Sequence, residues 1–166
     1  YVKLNTNESP FPPSPRVVAA AEQEANRLNL YSDPECTELK RAAAQLYGVE
    51  PKNVLPVNGS DEILYFAFLA YGDRENPFAF ADISYGFYPV YARFCDVPSR
   101  EIPLKDDFSL DYRDYLSIKE HILIANPNAP TGTALPLWQI EEIVGGNPER
   151  VVIIDEAYID FGGESC

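Results

Sequence analysis

Four short stretches hold side chains able to do chemistry at a fixed spacing. The sharpest is VVIIDEAYIDF, Val151 to Phe161, where an unbroken β-branched run meets Asp155 and Glu156, with Tyr158 close behind. A buried strand that ends on a carboxylate needs a positive or hydrogen-bonding partner, because an isolated buried charge is costly. A magnesium ion beside a nucleotide would serve, and so would the protonated ring nitrogen of a cofactor. A third possibility is that Asp155 only caps a neighbouring loop. The nucleotide option requires GxxxxGK[ST], whose amides and lysine hold the phosphates. None of the 9 glycines is followed by lysine, and GxGxxG is absent as well.

The other three stretches favour a flat, phosphorylated cofactor. In NGSDE, Asn58 to Glu62, Gly59 and Ser60 stand between an apolar run and a helical pattern. The first amides of such a helix are unpaired and carry the positive end of its dipole, which suits phosphate, although an ordinary N-cap looks similar. In SYGFYPVY, Ser84 to Tyr91, Tyr85 lies where a strand gives way to a helix and could stack on a ring. Phe87, Tyr88 and Tyr91 read as core. In NPNAPTG, Asn126 to Gly132, two prolines and a glycine stiffen a loop that offers the amides of Asn126 and Asn128. Such an amide, fixed at a strand end, suits a phenolate oxygen. Phosphate, phenolic oxygen and basic ring nitrogen together describe pyridoxal phosphate. A carboxylate beside the ring nitrogen favours its charged form, and the protonated ring is an electron sink. In this reading Asp155 faces the pyridinium and Tyr158 reaches the phenolic oxygen, while Glu156 and Asp160 have no role.

The elements that must position these groups follow from periodicity. Asn5 to Pro15 is a proline-rich extended arm. Ser14 and Pro15 open a helix as N-cap and first residue, with Val17, Val18, Ala21 and Ala25 on its apolar side. A second helix is predicted from Thr37 to Tyr47 and stops at Gly48. Beyond Pro51, short apolar runs alternate with helical stretches. Strands are predicted at VLPV (54–57), FAFA (78–81), REIPL (100–104, edge-like because of Pro103), ILIA (122–125) and VVII (151–154). Helices are predicted over 60–71, 85–94 and 137–144. Fully apolar strands alternating with helices argue for an α/β fold with a mainly parallel sheet and flanking helices, and ligands bind such sheets at the strands' C-terminal ends.

Composition narrows the function classes. The chain of 166 residues is 46% hydrophobic, enough for one real core. With 26 acidic residues against 13 basic ones the net charge is −13, and no basic stripe argues for nucleic acid. No apolar run reaches membrane-spanning length. Three scattered cysteines, Cys36, Cys95 and Cys166, make no framework and point to a reducing cytoplasm. A single histidine, His121, argues against zinc.

LNTNESPFPPSP, LYSDPEC, NGSDE, SYGFY, NPNAPTG and DEAYIDF occur here in an order that resembles the histidinol-phosphate aminotransferases, which are fold-type-I pyridoxal-phosphate enzymes. The resemblance covers essentially the whole chain. DEAY and PTG are shared across many aminotransferases, whereas the combination with LNxNE, YxxPEC and GxDE points to this subgroup. It implies transamination between histidinol phosphate, as amino donor, and 2-oxoglutarate, as 2-oxo acid, in histidine biosynthesis. The amides of Ser60 and Asp61 would hold the cofactor phosphate, Tyr85 would stack on the ring, Asp155 would pair with the ring nitrogen and Tyr158 would bond the phenolic oxygen. Tyr31 would reach the phosphate of the other subunit, implying a homodimer with shared active sites. Asn5 and Asn7 would lie near the substrate.

Two departures accompany the resemblance. Many relatives carry asparagine immediately before PTG, where this chain has Ala129, so Asn128 is expected to substitute or Tyr158 to act alone. The family's Schiff-base lysine and substrate arginines lie downstream of DEAY, and Lys3, Lys40, Lys52, Lys105 and Lys119 have no matching context. The strands that follow DEAY in the family occupy the middle of the sheet. The resemblance therefore implies the N-terminal half of a longer protein, inactive as this segment alone. Residues 1–48 would be an arm with part of a small domain, and residues 49–166 the first part of the large cofactor-binding domain. An aromatic-amino-acid aminotransferase, a threonine-phosphate decarboxylase and a non-catalytic, dimerising remnant are the alternatives.

Overall fold

The computed structural model describes Lys3 and residues 5–166. The chain divides into two units, Tyr1–Pro56 and Val57–Cys166. In the first, residues 5–14 form an exposed irregular arm that leads into α1 (Pro15–Ala25). Ser14 accepts from the Val17 N–H, and Pro15 takes the first helical position, where its missing N–H costs nothing. The apolar side of α1 is not covered: none of its residues is buried. Helix α2 (Thr37–Tyr47) ends on Gly48, whose left-handed backbone (φ 67°) lets its N–H return to the Ala44 carbonyl. The two units part after Pro56 rather than at this helix end.

The second unit is built on a parallel sheet. Its strands are β1 (Phe78–Ala81), β2 (Ser99–Ile102), β3 (His121–Ala125) and β4 (Val152–Asp155), in the order β2-β1-β3-β4, with every pair parallel. Helix α3 (Gly59–Tyr71) precedes β1, α4 (Tyr88–Phe94) joins β1 to β2, and α5 (Leu137–Gly146) joins β3 to β4. Strand side chains alternate between faces. Phe78 and Phe80 pack with Leu64 and Phe68 of α3 and with Tyr88 and Ala92 of α4. Ala79, Ile122 and Ile124 pack on the opposite face with Tyr115 and Ile143. Strands covered on both faces must be apolar throughout, which is why FAFA and ILIA show no polar alternation. No helix among the described residues is long and apolar enough to cross a membrane.

Two expected elements differ. Val54–Val57 is not a strand: β4 is the edge of the sheet and no ladder includes VLPV. Its apolar run is short, Pro56 lacks an N–H, and a strand exists only where another strand pairs with it. The helix expected from Tyr85 begins at Tyr88, because Pro89 fits only in the first turn; starting earlier would require an N–H from Pro89. REIPL forms the opposite edge strand as expected, ending at Ile102 just before Pro103.

Candidate active site

The loops that leave β1 and β3, the end of β4 and the start of α3 meet at one cavity of about 270 Å³. Its wall contains Ser60, Asp61, Tyr85, Ala129, Asp155 and Tyr158, and so joins five of the residues selected from the sequence with the alanine that replaced an expected asparagine.

Asp155 is the last residue of β4 and is half-buried. Its backbone carbonyl accepts the Asn126 N–H at 2.9 Å, continuing the β3–β4 ladder. Both carboxylate oxygens are held from within the chain. Oδ1 accepts the Ala157 N–H at 3.2 Å, and Oδ2 accepts the Tyr88 hydroxyl at 2.7 Å. Tyr88 is fully buried under the sheet. Burial first, and then the neighbouring Asp155 charge, push its phenol far above the ordinary tyrosine value, so it stays a neutral donor. Sequence reasoning assigned Tyr88 to the core alone. The available signal was chemical: a buried tyrosine usually finds a partner for its hydroxyl, although Tyr115 has none among the described residues.

At the opposite wall α3 presents its N-terminus. Gly59 takes a positive φ of 79°, which a side chain rarely tolerates, and turns the chain into the helix. No side chain caps the first-turn amides from Asn58. Instead Glu62, in the fourth helical position, reaches back to accept the Asn58 N–H at 2.8 Å. The amides of Ser60 and Asp61 therefore lie at the positive end of a helix dipole beside the cavity, a donor set that fits an anion.

Tyr85 lies between these walls. Its hydroxyl donates to Asp61 Oδ1 at 2.7 Å, its ring stacks on Phe87 at 5.7 Å, and its edge meets Tyr88 at 5.5 Å. Burial, and then the Asp61 carboxylate, push its phenol up to about 12. It is a neutral aromatic surface fixed at the cavity wall. Tyr158, in the turn after β4, lines the same cavity.

Asn128 is placed differently from the expectation that it bonds the phenolic oxygen. The residue is 8% exposed, and its side chain is consumed by hydrogen bonds to its own loop and to the loop after β1. Nδ2 donates to the Ile83 carbonyl (2.9 Å) and to Thr131 Oγ1 (3.0 Å), while Oδ1 accepts from Ser84 Oγ (2.9 Å). Asn128 lines a neighbouring cavity with Lys105 and Leu135, not the one with Asp155. Asn126 is likewise used internally, accepting the Leu135 N–H at 2.7 Å. The loop is thus held by its asparagines, and it offers the cavity only the apolar walls of Ala125, Pro127 and Ala129. Tyr31, Asn5 and Asn7 belong to the first unit, where all three are exposed.

The arrangement can bind an anion at one end, cover a flat ring and hold a protonated nitrogen at the other end. A family model described as "Aminotransferase class I and II" matches residues 1–166. Histidinol-phosphate aminotransferase of Aromatoleum aromaticum is 53% identical over 170 residues, which cover 99% of this chain and 48% of that protein. Its counterpart in Clostridium acetobutylicum is 50% identical over 167 residues, covering 100% and 47%. The crystal structure of histidinol-phosphate aminotransferase from Sinorhizobium meliloti in complex with pyridoxal-5'-phosphate superposes with a TM-score of 0.83 at 26% identity, over 93% of this chain and 44% of that one. The chain spans about half the length of the curated relatives it matches.

Proposed function

The chain belongs to the class I and II aminotransferase family, and from that premise we propose that it forms the cofactor-holding part of a pyridoxal-phosphate-dependent enzyme that transfers an amino group from histidinol phosphate to 2-oxoglutarate. The observation that carries this reading is the single cavity in which an uncapped helix N-terminus, an aromatic wall and a strand-end carboxylate converge.

When bound, pyridoxal phosphate supplies a carbonyl that takes up the amino group and a ring that draws off electrons as a proton leaves carbon. The chain's own residues position it. The Ser60 and Asp61 amides hold the phosphate, where the helix dipole favours a dianion over water. Tyr85 covers one face of the ring and excludes water from it. Asp155 lies opposite the phosphate end and keeps a proton on the ring nitrogen, because a nearby carboxylate stabilises the charged form. Tyr158 donates to the phenolic oxygen and is its main partner, since Ala129 has no group to offer. None of the five lysines lines the cavity. The amine that holds the cofactor and the arginines that grip the substrate are proposed to come from the remainder of the protein. The same proposal gives the exposed edge of β4 further strands to pair with, and a second subunit for Tyr31 to reach.

The test is the visible absorption spectrum of the full-length protein with pyridoxal phosphate. Histidinol phosphate should bleach the cofactor band and 2-oxoglutarate should restore it. Bleaching by aromatic amino acids alone would move the substrate assignment. No response to any amino donor would refute the transaminase reading.

A further inference from the structure

We propose that Tyr88 is a positioning residue for Asp155, whose hydroxyl keeps the shared proton on the cofactor's ring nitrogen rather than on the carboxylate. The inference rests on the reading that Asp155 faces that nitrogen, and it assigns a role to a residue outside the cavity wall.

The geometry is a short, enclosed hydrogen bond. Tyr88 Oη donates to Asp155 Oδ2 at 2.7 Å across a separation of 67 residues. The donor is 0% exposed and rigidly seated. It occupies the first turn of α4 beside Pro89, its ring packs on Phe80 at 5.6 Å, and the Tyr85 edge closes the other side at 5.5 Å. Packing alone does not call for a hydroxyl here. The neighbouring core positions Phe68, Phe78 and Phe80 fill the same layer with plain phenyl rings. The Tyr88 oxygen has an acceptor, Asp155, whereas the equally buried Tyr115 hydroxyl has no partner among the described residues.

The chemical consequence follows from competition for one proton. A carboxylate and a pyridine nitrogen that share a proton place it on the more basic partner. A hydrogen bond donated to a carboxylate oxygen favours the ionised form over the protonated one. The Ala157 N–H supplies one on Oδ1, and Tyr88 supplies the shorter one on Oδ2. Tyr88 also fixes the plane of the carboxylate and leaves its remaining lone pairs for the cavity.

The experiment uses the full-length holoenzyme reconstituted with pyridoxal phosphate labelled with ¹⁵N in the ring, read by solid-state NMR. The wild type should show a pyridinium nitrogen. Tyr88→Phe should shift that resonance toward an unprotonated pyridine, with cofactor still bound. Should Tyr88→Phe fail to fold by circular dichroism, 4-aminophenylalanine at position 88 keeps the shape with a weaker donor and should move the resonance part of the way. Asp155→Asn serves as the reference, with full loss of the pyridinium signal. If Asp155→Asn moves the resonance and neither change at 88 does, the role of Tyr88 is overturned and that of Asp155 stands. If Asp155→Asn leaves it at the pyridinium value, the reading of Asp155 itself fails, and this inference with it.

Discussion

Replacing Asn128 by alanine separates two roles that its position in NPNAPTG leaves open. In the structure the side chain makes three hydrogen bonds, one to Thr131 Oγ1 in its own loop and two, to Ile83 O and Ser84 Oγ, in the loop after β1. A net contribution of about 1 kcal/mol per bond, plus about 1–3 kcal/mol for leaving the Ile83 carbonyl without its donor, gives a destabilisation of about 4–6 kcal/mol. Thr131→Val removes one of those bonds together with the Thr131 Oγ1 contacts to Thr133 Oγ1 and the Thr133 N–H, and serves as a graded control at roughly 2 kcal/mol. The assay is denaturant unfolding of the full-length protein, followed by intrinsic fluorescence, alongside a cofactor titration at low denaturant. Asn128→Ala should lower the unfolding midpoint strongly, and should weaken cofactor binding only as far as the loop loosens. An unchanged midpoint together with an altered cofactor spectrum would refute the reasoning, because it would mean that the amide touches the phenolic oxygen directly.

Three further outcomes are expected. Ser60→Pro removes one cradle amide in the first turn of α3, where proline is tolerated. It should weaken cofactor affinity roughly tenfold or more, with helix content unchanged by circular dichroism. Tyr31→Ala and Asp155→Ala should each be inactive as homodimers, yet mixing and refolding them together should recover about a quarter of wild-type activity if Tyr31 serves the other subunit's site; no recovery would place Tyr31 in its own subunit's site. Burial lowers the pKa of His121 from 6.5, and its ring accepts the Val151 N–H at 3.1 Å through Nδ1, so the fold favours the neutral ring. The unfolded chain binds that proton first as pH falls. Stability from this group is therefore complete above about 6.5 and declines below it, and urea melts of His121→Gln should lack that part of the acid decline.

Much of this architecture is written locally. Ser14-Pro15 and Gly48 set helix ends through backbone geometry that needs no tertiary partner. FAFA and ILIA announced strands because both faces of β1 and β3 are covered. VLPV has the same appearance and is not a strand, since an apolar run does not encode whether a ladder partner lies beside it. The start of α4 was legible in Pro89, which fixes how early that helix can begin. At the site, residue types indicate which side chains could do chemistry but not which way they face. Asp155, Tyr158, Tyr85, Ser60 and Asp61 share a cavity because parallel topology brings the strand ends together. Asn128 turns away from it, as nothing in NPNAPTG states which side of the loop an amide faces. Tyr88 meets Asp155 only through the pairing order of β1, β3 and β4, a long-range outcome invisible to any local pattern.

The most direct test of the account is a crystal structure of the full-length protein with pyridoxal phosphate. The account predicts the phosphate on the Ser60 and Asp61 amides, the ring against Tyr85, and the ring nitrogen within hydrogen-bond distance of an Asp155 carboxylate still held by Tyr88. A cofactor bound elsewhere, or a ring nitrogen facing away from Asp155, would contradict it.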